Sequence, residues 1–336
     1  MSFRVRPARN EDFQAIYEMA KLTGGGFTNL PPDKATLVGK LVRSEAAFSG
    51  TEGDGFFMFV LENTETGQIR GTCQVFSKVG TEWPFYSYKI TTFTQTSKAL
   101  NRTFRAEMLN LVTDFEGCSE VGGLFLHPHE RAGGLGLLLA RSRYLFMKLH
   151  RDSFAGKVLA ELRGVIDESG ASPFWDAVAG RFFGMTFQEA DEFNATHGNQ
   201  FIADLMPKTP IYTAMLPESA RVVMGVPHPS GRAAMKMLEK EGFSFDGYID
   251  IFDGGPTMAA ATDSIRTVRD AKPHTLADLD ESGEGHDALL AAGRLTDFAA
   301  AYGRLHVLPD GRATLDPASA ELLGIAPGDD FIAISR

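Results

Sequence analysis

Apolar and polar positions follow patterns that mark out most elements of this chain before any residue is given chemistry. Residues 3–7 (FRVRP) alternate and predict a short strand, after which Asn10, Glu11 and Asp12 open a helix reaching about residue 22. Asn10 is the expected N-cap, and acids in the first turn suit the helix dipole. The glycine- and proline-rich stretch 23–33 (TGGGFTNLPPD) reads as a loop, with a second helix over 33–45. Strand-like runs at 56–61 (FFMFVL) and 69–78, separated by a turn carrying Gly67, predict a hairpin, and 87–92 a further strand. Residues 121–126 (VGGLFL) read as a strand ended by His127-Pro128. Leu135, Leu138, Leu139, Phe146 and Leu149 then recur at helical spacing and predict a helix over 135–149. Residues 157–163 predict a strand. Ser172-Pro173 opens a helix with proline in its first turn, 230–240 is a helix closed by Gly242, and 243–252 supplies strand.

The pattern changes near residue 262. Residues 261–290 are polar, acidic and poor in aromatics, and read as a linker. The runs RLHVL, PDGRATL and DDFIAIS that follow are short and punctuated by turns. The expected organisation is a main α+β domain with a mixed central sheet over 1–260, a polar linker over 261–290, and a small β-barrel-like unit over 291–336.

Composition narrows the function classes. The 336 residues are 43% hydrophobic and 23% charged, enough for a substantial core, and the formal net charge is −10. An acidic chain of this kind does not bind by broad phosphate neutralisation, so no nucleic-acid partner is expected. Local basic pockets for a small anionic ligand remain open. Cys73 and Cys118 cannot build a disulfide framework, and Cys73, in an alternating run, reads as a small buried hydrophobe. The first residues carry charge without an apolar core, and no apolar run approaches the ~20 residues of a membrane span. A reduced, cytoplasmic setting without membrane contact follows as the expectation.

The sharpest constellation for chemistry is strand, Arg-x-x-Gly-x-Gly, helix. Arg131, Gly134 and Gly136 stand between strand 121–126 and the helix beyond. Unpaired N–H groups and the dipole at a helix N-terminus attract a pyrophosphate, and glycines let the backbone close around it. The same glycines would also serve a tight strand-to-helix turn. If strand 121–126 were splayed from its neighbour, its backbone could pair with an extended amide-bearing arm such as pantetheine. Gly24-Gly25-Gly26 has no following Gly-Lys-Ser/Thr and suits a substrate-side loop better than a phosphate loop. No zinc-type spacing occurs among the histidines, and no GxSxG elbow is present. His228, in VPHPS, is either structural or a proton-transfer group, since a neutral imidazole can take or give a proton in amine acylation. Asp253 before Gly254-Gly255 marks a turn or a cation-binding carboxylate, the turn being favoured.

Residues 124–139 resemble the acyl-CoA-binding motif of the GNAT acyltransferase superfamily. More specifically, the chain resembles the arginine N-succinyltransferase family, through TGGGFTNLP (23–31), SEVGGLFLHPHER (119–131), AELRGVIDESGASPFW (161–175), FIADLMPKTPIY (201–212), LEKEGF (238–243) and YIDIFDGGP (248–256). The resemblance covers most of 1–260 and is looser beyond, where LGIAPGDDF carries it. It implies a GNAT-like fold and transfer of a succinyl group from succinyl-CoA, a co-substrate rather than a resident cofactor, to the α-amino group of L-arginine, as the first step of succinyl-dependent arginine catabolism. It also implies that His228 is the catalytic proton donor, with Pro227 before it a departure from the family pattern. Leu124, with its neighbours Phe125 and Leu126, would contact the acyl-CoA, as would Arg131, Gly134 and Gly136. A succinyl carboxylate calls for a cation and a guanidinium for carboxylates. Arg163 and Lys208 are the candidates for the first, and Glu161, Asp204 and Asp253 for the second. Ornithine or another amine as acceptor, or an acyl-CoA-binding sensor without catalysis, are the competing readings. Assembly with itself or with a homologous subunit is the expected quaternary state.

Overall fold

The computed structural model describes residues 2–23, 29–50, 55–198, 200–282 and 284–336. Its strands are β1 (Phe3–Pro7), β2 (Phe56–Asn63), β3 (Gln68–Phe76), β4 (Ser87–Ser97), β5 (Arg102–Val112), β6 (Ser119–Leu126), β7 (Lys157–Glu161), β8 (Ile211–Tyr212), β9 (Ser244–Asp250), β10 (Pro256–Ala261), β11 (Lys272–Leu279), β12 (His286–Ala292), β13 (Ala299–Val307), β14 (Ala313–Leu315) and β15 (Asp330–Ser335). They form one connected sheet in the order β12-β15-β11-β14-β13-β1-β2-β3-β6-β7-β10-β9-β4-β5-β8. β6–β7 and β11–β14 are parallel and the other pairs antiparallel. The sheet is mixed and the class α+β, as the sequence pattern implies.

β2 shows why an unbroken apolar run sits at the centre. Side chains alternate across a strand. Phe57, Phe59 and Leu61 join the cluster of Phe146, Phe154 and Phe298 under helix Leu135–Leu149, while Phe56, Met58 and Val60 pack on helices Phe13–Lys21 and Lys34–Phe48. Both faces are covered, so neither can be polar. Helix Leu135–Leu149 was expected to bury one stripe, yet everything from Leu138 to Met147 is buried. Its far side is covered by helices Arg232–Glu241 and Arg266–Asp270, where Arg141 pairs with Glu241 at 3.2 Å and donates to Thr267 at 2.9 Å. Cys73 is fully buried, and burial pushes its thiol up to about 12, which suits a packing role.

A second core lies on the β4, β5 and β9 side, where Phe174, Trp175, Phe187 and Phe252 pack with Tyr88 and Ile249 beneath the short helices of 173–205.

Three expectations need correction. Asn10 is not the N-cap: its side chain and backbone N–H donate to Glu45, and the Asp12 carboxylate takes the Arg9 N–H and the Arg6 guanidinium. β5 and β10 were absent from the sequence reading, because the charges of RTFRAEM and the small residues of PTMAAA mask strand periodicity. Residues 261–290 are not a linker. They hold helix Arg266–Asp270, β11 and most of β12. The pairing of β12 with β13 closes β12, β15, β11, β14 and β13 into a five-stranded barrel, which begins near residue 272 rather than 291. Its interior is small, filled by alanines and leucines such as Ala288, Leu290, Ala301 and Ala333, so a low-aromatic sequence was misread as unpacked. Among the described residues no helix is long and apolar enough to cross a membrane.

Candidate active site

The sheet splits at β6 and β7. Their parallel pairing is confined to Ser119–Val158 and Glu120–Leu159, and from Gly122 to Leu126 β6 has β3 on one side and no strand on the other. A bulge fixes this geometry: the β3–β6 register shifts between Thr72 and Gln74, and Gly123 opposite adopts φ +57°. A Cβ at Gly123 would stand 2.5 Å from the Gln74 side chain, so only glycine fits. Arg143 donates to the Gly122 carbonyl at 3.3 Å and Thr72 to that of Gly123 at 3.1 Å. Leu124, Phe125 and Leu126 are half-buried along the open edge.

Past β6, Arg70 holds the turn through an ion pair with Glu130 at 2.9 Å. The chain enters helix Leu135–Leu149 through Gly134, whose φ of +80° places it in the left-handed region. Gly134 and Gly136 therefore sit at a helix N-terminus beside the open edge of β6, with Arg131 exposed on the same loop. Such a turn could hold a pyrophosphate beside an open strand edge.

The other half of the site gathers at the C-terminal end of β7. His228 N–H donates to the Arg163 carbonyl at 2.7 Å, Gly225 N–H to Gly254 at 2.8 Å, and Leu162 N–H to Pro256 at 3.1 Å. Asp253 clamps these loops, its two carboxylate oxygens accepting from Gly164 at 2.7 Å and Gly255 at 2.8 Å. The imidazole Nδ1 of His228 lies 2.7 Å from Ser230 Oγ, which fixes the ring and leaves Nε2 as the working nitrogen. Burial and the nearby Arg163 charge hold His228 below its ordinary value, so it is neutral near pH 7.

Where β6 and β7 part lie four carboxyl groups, Glu120, Glu161, Asp250 and Asp253, packed close enough to disfavour one another's ionisation. Burial and its neighbours raise Glu120 to about 7 and Asp253 to about 8, and lift Glu161 well above the carboxylate range. Lys40, whose Nζ donates to the Asn29 carbonyl at 2.9 Å, is drawn down to about 8 by desolvation and faces Glu120. The pocket thus holds more acid than base. Glu161 Oε1 and Arg163 Nε, two residues apart, are each sealed from solvent without a hydrogen-bond partner among the described residues. Unpaired buried polar atoms of this kind are costly unless a ligand completes them. Among the described residues no group of three or more His, Cys, Asp or Glu is arranged to hold a metal ion.

Not every expected residue joins this centre. Asp204 and Lys208 lie exposed on the segment after helix Phe187–His197, and Asp204 accepts from Gln200 within its own short helix. Gly24, Gly25 and Gly26 lie outside the described residues. Conversely, Glu120, Asp250, Ser230 and Lys40 were passed over. Glu120 and Asp250 stand inside quoted motifs and could have been found as the acids flanking Val121 and preceding Asp253. Lys40 gives no local signal, since its role depends on a helix packed across the sheet.

With this geometry in place, the likeness to known proteins is specific. The family model described as arginine N-succinyltransferase beta subunit matches residues 3–267, and the model for the C-terminal domain of that subunit matches 273–335. The arginine N-succinyltransferases of Salmonella paratyphi B and Salmonella typhimurium are each 45% identical over 270 residues, covering 80% of this chain and 78% of theirs. The solved structure of arginine/ornithine succinyltransferase subunit AI from Pseudomonas aeruginosa is 32% identical and superposes with a TM-score of 0.90, covering 99% of this chain and 98% of that one. Splayed strands, glycine loop, buried acids and two matching family models converge: the chain belongs to the arginine N-succinyltransferase family.

Proposed function

We propose that this protein transfers the succinyl group of succinyl-CoA to the α-amino group of L-arginine, at the entry to succinyl-dependent arginine breakdown. The observation that supports it most is the pair Glu161 and Arg163 at the mouth of the splay, one acceptor and one donor sealed and unspent. A donor with a terminal carboxylate satisfies Arg163, and an acceptor with a guanidinium satisfies Glu161 and relieves the crowded acids around it. Asp253 serves mainly as the clamp on the loops, with Glu120 and Asp250 setting the negative potential. Asp204 and Lys208, exposed on their own segment, have no part in this assignment.

In this reading pantetheine pairs along the open edge at Leu124, Phe125 and Leu126, and the pyrophosphate rests on the loop of Arg131, Gly134 and Gly136. The free α-amine attacks the thioester carbonyl, forming the C–N bond. Backbone N–H groups of β6 stabilise the oxyanion, and holding both substrates at one fork supplies much of the acceleration. The imidazole of His228, held at Nδ1 by Ser230 Oγ and by the Ser230 backbone N–H, takes the amine proton. The C–S bond then breaks and the imidazolium returns the proton to the departing sulfur. The products are the amide and free CoA thiol.

The name of the Pseudomonas relative makes ornithine the second acceptor to test, and its description as a subunit supports assembly with itself or a homologous chain. A cytoplasmic setting agrees with two unpaired cysteines. The decisive experiment follows thiol release with succinyl-, acetyl- and malonyl-CoA against arginine and ornithine. Release with succinyl-CoA and arginine is expected to exceed every other pairing. No release with any pair would leave an acyl-CoA sensor instead.

A further inference from the structure

The five-stranded barrel lies next to the donor loop, and one side chain from it reaches the loop directly. Arg336 follows β15, its backbone N–H bonded to Asp287 on β12. Its guanidinium stacks on the Tyr302 ring of β13, 4.3 Å from the centroid, and Nη2 donates to the Gly133 carbonyl at 2.6 Å. Tyr302 itself donates to the Gly134 carbonyl at 3.0 Å. A Cβ on Gly134 would fall 2.6 Å from Arg336 Nη2, so this glycine is required by the arginine as well as by its own φ.

Two barrel residues thus grip the turn that opens helix Leu135–Leu149. Tyr302 is buried and can act only on the backbone. Arg336 is exposed and among the described residues forms no ion pair; its contacts are the Tyr302 ring and the Gly133 carbonyl, one residue before the Gly134 that opens helix Leu135–Leu149. A planar fork stacked on an aromatic ring is preorganised for bidentate contact with a phosphate oxygen pair. We propose that Arg336 is a ligand of the acyl-CoA pyrophosphate, and that the barrel forms one wall of the donor site. This rests on the reading of the 131–136 loop as the pyrophosphate cradle.

The test uses the full chain with Arg336→Gln and Arg336→Lys, CoA binding by calorimetry at low and high salt, and turnover with succinyl-CoA and with S-succinylpantetheine, which has no diphosphate. Arg336→Gln is expected to weaken CoA about tenfold or more, to flatten the salt dependence of binding, and to leave kcat/KM with S-succinylpantetheine unchanged. Arg336→Lys, which keeps the charge without the fork, is expected to fall between. CoA binding equal to the wild type in Arg336→Gln would overturn the proposal while leaving the cradle intact. A loss shared equally by S-succinylpantetheine, or one with unaltered salt dependence, would also overturn it and make Arg336 a strap on the fold. Failure of the wild type to bind CoA would instead sink the reading of the loop itself.

Discussion

The two halves of the site are built in opposite ways. The donor half is contiguous: β6, its turn and helix Leu135–Leu149 supply the open edge and the helix N-terminus from within about thirty residues of sequence. The proposed acceptor half is assembled from distant segments, with Glu120 on β6, Glu161 at the end of β7 and Arg163 past it, His228 before helix Arg232–Glu241, and Asp250 at the end of β9 with Asp253 past it. The difference separates binding from chemistry. A cradle for a common carrier can be written as one motif, whereas selectivity for one amine and one acyl group depends on which loops the sheet brings together. Changes on the acceptor half should therefore alter turnover and arginine KM at constant CoA affinity, and changes on the donor half should do the reverse.

Replacing the imidazole gives the largest expected break. His228→Ala should lower kcat by about 10²–10⁴, the range of general acid–base catalysis, with CoA binding by calorimetry unchanged. Retained turnover would remove His228 from the proton path. Glu161→Gln is next. It keeps the size of the side chain and cannot ionise against a bound guanidinium, so the KM for arginine should rise about 10–100-fold, the equivalent of a charged hydrogen bond of about 1.5–3 kcal/mol, while the KM for succinyl-CoA stays level. Equal effects on both substrates would mean that Glu161 shapes the pocket rather than selecting the amine. On the donor side, Gly134→Ala forces a side chain into the left-handed region and against Arg336. A cost of about 1–2 kcal/mol should raise the KM for succinyl-CoA roughly tenfold and leave arginine KM untouched.

The sequence disclosed the two halves unequally, for the same physical reason. Periodicity located β1, β2, β3, β6 and helix Leu135–Leu149 because each carries apolar residues at a regular spacing or in a short run. The glycine loop was legible because its chemistry is local. Glu161, Arg163 and Asp253 came only from the family resemblance, and nothing local could separate them from Asp204 and Lys208, which share the same kind of motif but lie on an exposed segment. Lys40 was invisible, since a lysine on an amphipathic helix looks solvated until the helix is docked over β2 and β3. The barrel was hidden by scale: an interior of alanines gives little hydrophobic contrast, so β11 and β12 passed for a linker.

The smallest expected effect concerns pH and tests whether the acceptor half works as one electrostatic unit. His228 lies below its ordinary value of about 6.5 because burial, and then the charge of Arg163, disfavour the imidazolium. In the proposed mechanism the neutral ring takes the amine proton, so activity is present above the His228 pKa and is lost as pH falls through it. The acid limb of kcat/KM in the wild type should therefore lie below about 6.5. Arg163→Gln removes the neighbouring cation, so the imidazolium becomes easier to form, the pKa rises, and the limb moves to higher pH. The same variant should raise the KM for succinyl-CoA more than that for acetyl-CoA, because only the first carries a carboxylate to lose its partner. A shifted limb with no discrimination between the two donors would keep Arg163 as a neighbour of the histidine and release it from the succinyl group. An unshifted limb would assign the titration to another group, of which Glu120, raised to about 7, is the nearest in range.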